Sequence, residues 1–344
     1  MESTFIIDAH LDLAMNALRY GRDLRWSVSA IREKEAAAPV PGGTCTVSLP
    51  ELRQGGIGLV FASVWTEPQE DAEQEYRQAQ EQLAYYRDLE AQGEVAVITG
   101  RDRLNAHLQQ WAEPAPDHPV GLILSLEGAG ALRSPGEVGE WYEAGLRVLG
   151  PAWYGRNRYV HGTGYPGPLT DQGRELLRAM EEVGLLLDLS HLAEESFYQA
   201  LDAFSGTLLC SHSNCRSLVP GDRQISDHMI SQVIERDGVI GVAMDCWMLK
   251  PGWVKGDSNL AVSLSDYVNH LDHVCQLAGD SAHAALGTDL DGNFGREQSP
   301  HDLDTIADLS KIPALLQARG YRDSDIAAIL HGNWQRLLST AWPG

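Results

Sequence analysis

The sequence predicts an α/β fold: a (β/α)8 TIM-type barrel of eight parallel strands alternating with helices, with two extra helices at its carboxyl end. Three observations lead there. Eight apolar runs rich in Val, Ile and Leu recur at 4–10, 57–65, 120–126, 145–152, 184–190, 207–211, 239–244 and 284–288. Each is near-continuous rather than alternating in polarity, as strands covered on both faces are. The segments between them read as helices, and 344 residues suit one barrel of somewhat more than ordinary length, a single domain over 1–344.

The first run, Phe5-Ile6-Ile7-Asp8-Ala9-His10-Leu11-Asp12, ends in an imidazole and a carboxylate two positions apart, which strand alternation sends to the same side. After the second run, a helix over 70–92 carries Tyr76, Ala79, Leu83 and Tyr86 as one apolar stripe among Glu, Gln and Arg. Thr170 is placed to cap a helix whose core face is Leu176, Leu177, Met180 and Val183, with Gly184 ending it. Ser226 likewise caps a helix bearing Met229, Ile230, Val233 and Ile234, closed by Gly238. Two more helices, around 304–319 and 324–340, follow the last strand. The stretches 20–56 and 246–262 hold Gly, Pro and polar residues with little period and read as lid or pocket walls.

Composition removes several classes of function. With 26 Lys plus Arg against 48 Asp plus Glu, the net charge of -22 argues against nucleic-acid or anionic-membrane partners, which need a basic surface. Cys45, Cys210, Cys215, Cys246 and Cys275 follow no paired spacing, so they read as reduced, mostly buried thiols rather than a disulfide framework or a thiolate zinc ribbon. Met1-Glu2-Ser3-Thr4 runs into the first strand without a basic segment or cleavage site, and no run of about 18 apolar residues occurs. A cytoplasmic enzyme is the expectation.

Chemistry-bearing side chains collect where the runs end: Ser125-Leu126-Glu127-Gly128, Asp188-Leu189-Ser190-His191, Cys210-Ser211-His212-Ser213 and Gly287-Thr288-Asp289-Leu290-Asp291-Gly292. Taken singly, a strand-end His is more often structural, and an acidic residue before Gly is more often a turn residue. Jointly, His10, Asp12, Glu127, His191, His212 and Asp289 all fall at carboxyl ends of strands, where parallel barrels place their chemistry. Imidazole with carboxylate and no thiolate suits zinc or a related divalent ion. Six groups exceed what one catalytic zinc needs, usually about three protein ligands and a water. Two ions would use them fully: His10 and Asp12 on one, His191 and His212 on the other, Glu127 bridging. Asp289 would then accept a proton from a water held between the ions.

The runs Asp8-Ala9-His10-Leu11-Asp12, Leu126-Glu127-Gly128, Asp188-Leu189-Ser190-His191, Ser211-His212-Ser213 and Asp289-Leu290-Asp291-Gly292 resemble the motifs of the renal (membrane) dipeptidase family of metallopeptidases. His270-Leu271-Asp272-His273 and Gly332-Asn333 agree as well, so the resemblance covers nearly the whole chain in order. It implies an amidohydrolase-type barrel with a binuclear zinc site that hydrolyses dipeptides, often tolerating a D-residue at the carboxyl side. By position it implies His10 and Asp12 on the first zinc, Glu127 as bridge, His191 and His212 on the second, and Asp289 as the acid/base. It also implies that Arg223, eleven positions after His212, grips the substrate carboxylate. A planar guanidinium matches that group in a bidentate way, although without the resemblance a surface salt bridge would be the simpler account. Membrane-anchored members carry a secretion signal and a hydrophobic tail; this chain ends Ser339-Thr340-Ala341-Trp342-Pro343-Gly344, and the soluble bacterial type is the expected analogue.

Two departures fall in the substrate pocket. The family typically has a histidine at the end of the fourth run that hydrogen-bonds the scissile carbonyl oxygen, whereas Arg147-Val148-Leu149-Gly150-Pro151-Ala152-Trp153 places Trp153 there. Indole offers a single N–H donor, and losing one oxyanion donor typically costs on the order of 100- to 1000-fold in rate. Either Trp153 binds the substrate in the histidine's place, or Tyr154, Arg156, Asn157, Arg158 or His161 reaches in, or Trp153 is pocket wall. The seventh run ends Ala243-Met244-Asp245-Cys246-Trp247, again off the family pattern. A dipeptide is therefore the leading substrate. The alternatives are a non-peptide amide, N-acyl amino acid or lactam at the same metals, or a barrel that keeps its metals, binds a ligand and has lost turnover. The sequence leaves open the native ion and the choice between monomer and homodimer.

Overall fold

The computed structural model describes residues 5–68, 71–113 and 115–342. Its sheet contains β1 (Ile6–Leu11), β2 (Ile57–Trp65), β3 (Val95–Val97), β4 (Val120–Glu127), β5 (Leu146–Gly150), β6 (Leu186–Asp188), β7 (Leu208–Cys210), β8 (Val239–Val242) and β9 (Ala284–Leu286), every ladder parallel. The order is β1-β2-β4-β5-β6-β7-β8-β9, a nearly closed barrel whose eight strands are the eight apolar runs. Positions 4 and 70, where a strand and a helix were predicted to start, lie outside the described residues.

The additional strand β3 pairs the amino-terminal half of β4, from Val95 opposite Val120 to Val97 opposite Leu122. Along the same edge β5 takes the carboxyl half, from Leu124 opposite Leu146 to Glu127 opposite Gly150. Three residues are too short a run to separate from a loop by hydrophobicity alone. Between β9 and β1 the barrel is closed by the Asp289 N–H donating to the His10 carbonyl at 3.2 Å, and by the buried Asp8 carboxylate. Asp8 accepts from the Thr288 N–H at 2.8 Å and the Thr288 hydroxyl at 2.5 Å.

The barrel interior is layered. Leu59, Phe61, Ile123, Val148, Leu186, Leu209, Val239 and Ala285 join Ile7 and Ala9 in one apolar cluster, closed from below by Trp334, whose indole N–H donates to the Leu286 carbonyl at 3.0 Å. Inward side chains recur every second residue, so the next inward layer consists of Ser63, Ser125, Gly150, Asp188, Ser211, Gly241 and Gly287. The lining thus changes from apolar to polar or small at the carboxyl ends of the strands. It also narrows there: a Cβ on Gly241 or Gly287 would lie 2.0 or 1.7 Å from the Ser211 carbonyl oxygen, so neither position has room for a side chain.

In β1 this alternation is interrupted. Asp8 pairs with Val60 and Leu11 with Ala62, three steps against two, which is a bulge. Ile7 and Ala9 point inward, so unbroken alternation would send His10 outward; the bulge re-aims it toward the barrel mouth. Asp12 follows just beyond the strand, at the head of helix Leu13–Tyr20.

The helix Ala72–Ala91 buttresses the end of β2. Its Tyr86 hydroxyl donates to the Ser63 carbonyl at 2.6 Å and accepts from the Ala14 N–H at 3.1 Å, while Gln82 brackets the Trp65 peptide. Thr170 caps helix Asp171–Val183 through the Gly173 N–H at 3.0 Å, and Gly184 ends it at φ 80°. Ser226 caps Asp227–Glu235 at 3.2 Å, with the Gly238 N–H returning to the Val233 carbonyl at 2.9 Å. The two carboxyl-terminal helices are segmented: Ile306–Lys311 is 3-10 before Ile312–Ala318, and a π-helical stretch, Ala328–Gly332, joins Asp323–Ala327 to Asn333–Ala341. Among the described residues no helix is long and apolar enough to cross a membrane.

The expectation of lid or pocket wall at 20–56 is corrected. That stretch folds into helices Val28–Glu35 and Leu49–Gln54 and braces the loop after β9. The Asp291 carboxylate accepts from the Thr46 N–H, the Thr46 hydroxyl, the Val47 N–H and the Arg22 guanidinium, at 2.7 to 3.3 Å. Its polar sequence reflects this buried network, which a periodicity argument does not register. The stretch 246–262 forms two short turns of helix, Cys246–Leu249 and Asn259–Ala261, and does not line the cavity beside Glu127.

Candidate metal centre

The six predicted side chains converge at the carboxyl mouth of the barrel, and Glu127 stands at their centre with its two oxygens turned to different partners. Oε2 lies 3.5 Å from His10 Nε2, while Oε1 lies 3.2 Å from both His191 Nε2 and His212 Nε2. His10 Nε2 is also 3.8 Å from Asp12 Oδ1 and 3.9 Å from Asp289 Oδ1, and the His191 and His212 Nε2 atoms are 3.1 Å apart. Two overlapping sets of donor atoms lie within 4.8 Å of one another, His10 with Glu127 and His212, and His10 with Asp12 and Asp289.

Hydroxyl groups set the histidine tautomers. The Ser211 hydroxyl donates to the Asp188 carboxylate, so it accepts from His212 Nδ1–H at 2.6 Å and leaves the Nε2 lone pair facing the centre. The Thr163 hydroxyl donates to the His191 carbonyl at 3.3 Å and accepts from His191 Nδ1–H at 3.2 Å, with the same result. Burial pushes His191 down to about 4 and His212 well below the usual histidine range, with the Arg223 charge adding to both, so both rings are neutral, as ligation requires. Ser63 donates to Asp12 from β2. These partners were not assigned from sequence, because a serine or threonine carries no chemical signature until its neighbour is known.

His10 shows that the cluster suits a cation. Both its ring nitrogens are buried without a hydrogen-bond partner, an arrangement that would waste two polar groups unless something else meets them. Burial opposes charge on this ring, but Glu127, Asp12 and Asp289 outweigh it and lift its pKa to about 10, so the pocket demands positive charge. A divalent ion would supply that charge and displace the proton. Burial holds the Asp289 carboxyl well above the usual range; the His10 charge opposes this, and Asp12 and Glu127 reinforce it. Asp289 sits at φ 58° and His191 at φ 65°, left-handed conformations that aim each side chain back across the mouth.

Arg223 is buried at 3% exposure, and no carboxylate lies within ion-pair distance of it among the described residues. One amino group donates to the His212 carbonyl at 2.8 Å and the other has no partner, so the surface salt bridge does not apply. An unpartnered buried guanidinium beside this mouth invites an anion. Beside Glu127 a cavity of about 230 Å³ is lined by Thr66, Glu127, Gly128, Trp153, Tyr154 and Arg158, among others. Trp153 stands in its wall, edge-on to Trp65 at 5.0 Å. The family motif residues away from the mouth have structural partners: His270 Nδ1 accepts from the Cys215 N–H at 3.0 Å, and Asn333 donates to the Ser281 and Ala284 carbonyls at 2.6 and 2.8 Å.

A parallel barrel whose strand ends bring imidazoles and carboxylates together around a shared glutamate defines a metal-dependent hydrolase. The sequence matches the membrane dipeptidase family, peptidase family M19, over residues 1–342, and the chain belongs to that family. Its relatives include an uncharacterized protein in the pqqA 5' region of Klebsiella pneumoniae, 28% identical over 76% of this chain and 95% of the relative. Another is the dipeptidase tcpJ of Claviceps purpurea (strain 20.1), 28% identical over 85% of this chain and 68% of the relative. In fold the chain is similar to a metallo peptidase from Rhodobacter sphaeroides liganded with a phosphinate mimic of the dipeptide L-Ala-D-Ala, at TM-score 0.83 and 22% identity, covering 99% of this chain and 100% of that one. It is equally similar to the dipeptidase AC of the same peptidase family, at TM-score 0.82 and 24% identity over the whole of both chains.

Asp245, at the departing strand end, has a structural use. It caps Cys246–Leu249 through the Trp247 N–H at 3.3 Å and receives the Gln298 amide on both oxygens at 2.9 and 2.7 Å, while burial lifts its pKa to about 7. Because the folded value stands above the unfolded one, its contribution is fully present below about pH 4 and is lost as pH rises to about 7. Asp245→Asn removes that dependence. Its stability relative to wild type, read from thermal unfolding, is expected to rise between about pH 4 and 7 and level off above, by a few kcal/mol at most. Unfolding curves that stay parallel across that range would show that Asp245 does not titrate there.

Proposed function

We propose that this chain is a binuclear zinc dipeptidase that hydrolyses the peptide bond of small dipeptides, including ones with a D-residue at the carboxyl side. The observation that carries the reading is the divided Glu127 carboxylate, one oxygen toward His10 and the other toward His191 and His212, the arrangement two ions sharing one bridge require. His10, Asp12 and Glu127 would hold one ion, and Glu127, His191 and His212 the other. When bound, such ions lower the pKa of a water near neutral pH and polarise the scissile carbonyl.

The chain's own groups do the rest. The unpaired face of Arg223 takes the substrate's carboxylate and fixes its register over Glu127. Asp289, beside His10 and poised by burial to hold a proton, receives it from the attacking water and returns it to the leaving amine. The cavity lined by Thr66, Trp153 and Tyr154 opens beside Glu127 and takes the amino-terminal residue. A cytoplasmic setting belongs to the same reading, supported by five cysteines that are all free and buried.

The test pairs elemental analysis with a panel of L,L and L,D dipeptides, N-acyl amino acids and lactams. The expected result is two zinc ions per chain and release of amino acids from dipeptides. Silence on dipeptides with turnover of N-acyl amino acids or lactams would move the substrate class, and metal without any turnover would make the barrel a binding protein.

A further inference from the structure

The histidine that the family typically uses to hold the scissile carbonyl oxygen is absent, and five neighbours of Trp153 are chemically able to replace it. Hydrogen bonds engage three of them elsewhere, and the fourth, Arg156, is exposed and set over another ring. Asn157 donates to the Pro151 carbonyl at 2.7 Å and accepts from the Tyr159 and Val160 N–H groups at 2.8 and 3.0 Å, which uses it as a loop brace. Arg158 donates to the Leu132 and Arg133 carbonyls at 3.3 and 3.0 Å. His161 is held by the Pro168 carbonyl at 2.8 Å and stacked on Tyr165, and the exposed Arg156 lies over the same ring at 5.6 Å. Trp153 itself is wedged edge-on between Trp65 and Tyr154.

Tyr154 remains. Its ring centroid lies 5.2 Å from that of His191, and it lines the same cavity as Glu127, so it stands beside the centre. The hydroxyl makes no hydrogen bond among the described residues, and the side chain is 44% exposed, facing the cavity. Its position is fixed rather than loose: Tyr154 is bridged to Thr163, with Gly155 N–H to Thr163 carbonyl at 2.9 Å and Thr163 N–H to Trp153 carbonyl at 3.1 Å. Thr163 is the residue whose hydroxyl orients His191, so one segment registers both groups against each other.

We propose that Tyr154 is the catalytic residue that donates its phenolic hydrogen bond to the scissile carbonyl oxygen as that oxygen becomes an oxyanion; this rests on the dipeptidase reading. In the step it serves, the oxygen of the attacking water bonds to the carbonyl carbon, one water proton passes to Asp289 and the C=O electron pair moves onto oxygen. Collapse restores C=O and breaks C–N. Asp289 returns its proton to the leaving nitrogen, and the new acid's remaining proton goes to the freed amine. Tyr154 keeps its proton throughout, as an unionised phenol does at neutral pH. Its donation is worth most when the oxygen carries negative charge.

Tyr154→Phe keeps the ring and removes only the donor. Against an active wild type, its kcat on dipeptides is expected to fall by about 100-fold or more with KM within a few-fold and metal content unchanged. Affinity for a phosphinate dipeptide analogue, whose tetrahedral oxygens stand in for the oxyanion, is expected to fall by a similar factor, while affinity for the product amino acids holds. Trp153→Phe removes the competing indole donor from the same cavity wall, and its loss of phosphinate affinity is expected to be the smaller of the two. A Tyr154→Phe enzyme with wild-type kcat and phosphinate affinity overturns the inference alone, as does a Trp153→Phe enzyme that takes the loss instead. Wild-type silence on dipeptides overturns the reading beneath it.

Discussion

Glu127→Gln is expected to leave at most one divalent ion per chain and to lower hydrolysis by at least about 1,000-fold, the scale on which losing several kcal/mol of metal-assisted stabilisation falls. The reason is geometric. Glu127 turns a different oxygen to each half of the cluster, at 3.5 Å from His10 and 3.2 Å from His191 and His212. An amide keeps the size, gives up the charge and offers one acceptor where two are needed. Elemental analysis before and after dialysis, with activity on the same samples, checks both parts. Two ions retained with turnover intact would show that another group bridges.

Asp289→Asn should separate metal binding from proton transfer. Asparagine fits the left-handed backbone at φ 58° as well as aspartate does, so the loop tethered through Asp291 to Thr46 and Arg22 is expected to hold its shape. Metal content is expected to match wild type, because His10, Asp12, Glu127, His191 and His212 remain. Turnover is expected to fall by about 100- to 10,000-fold in kcat, the usual contribution of a positioned acid/base. A variant with full metal and wild-type kcat would mean that the proton travels by another route.

The parts of the fold that could be read in advance are those with a short-range physical signature. Eight runs buried on both faces must be apolar along their length, and all eight are strands. Thr170 with Gly184, and Ser226, marked helix ends because capping chemistry is local. The strand β3 was missed because three residues that pair along one edge of β4 need little hydrophobicity to stay there. The stretch 20–56 was misjudged as a covering loop because its role is a buried polar network to Asp291, 245 residues from Thr46 in sequence.

The site divides in the same way. His10, Asp12, Glu127, His191, His212 and Asp289 were legible because imidazoles and carboxylates at strand ends are rare enough to stand out, and because parallel strands deliver their ends to one mouth. Ser63, Ser211, Thr163 and Thr288 carry no such mark, since a hydroxyl becomes an orienting group only when folding sets it against a ring nitrogen or a carboxylate. The choice of Tyr154 from among the neighbours of Trp153 likewise depended on where each donor was already engaged.

By itself the sequence determined the barrel and the inventory of metal-competent groups at its mouth, because burial on both strand faces and the scarcity of such groups are properties of residue types. Only the tertiary structure decided the aim of each group. A bulge in β1 turns His10 inward, hydroxyls from neighbouring segments choose which imidazole nitrogen faces the centre, and Glu127 parts its oxygens between partners from three strands. Orientation is set by contacts between segments far apart in the chain, and no local pattern of residues encodes it.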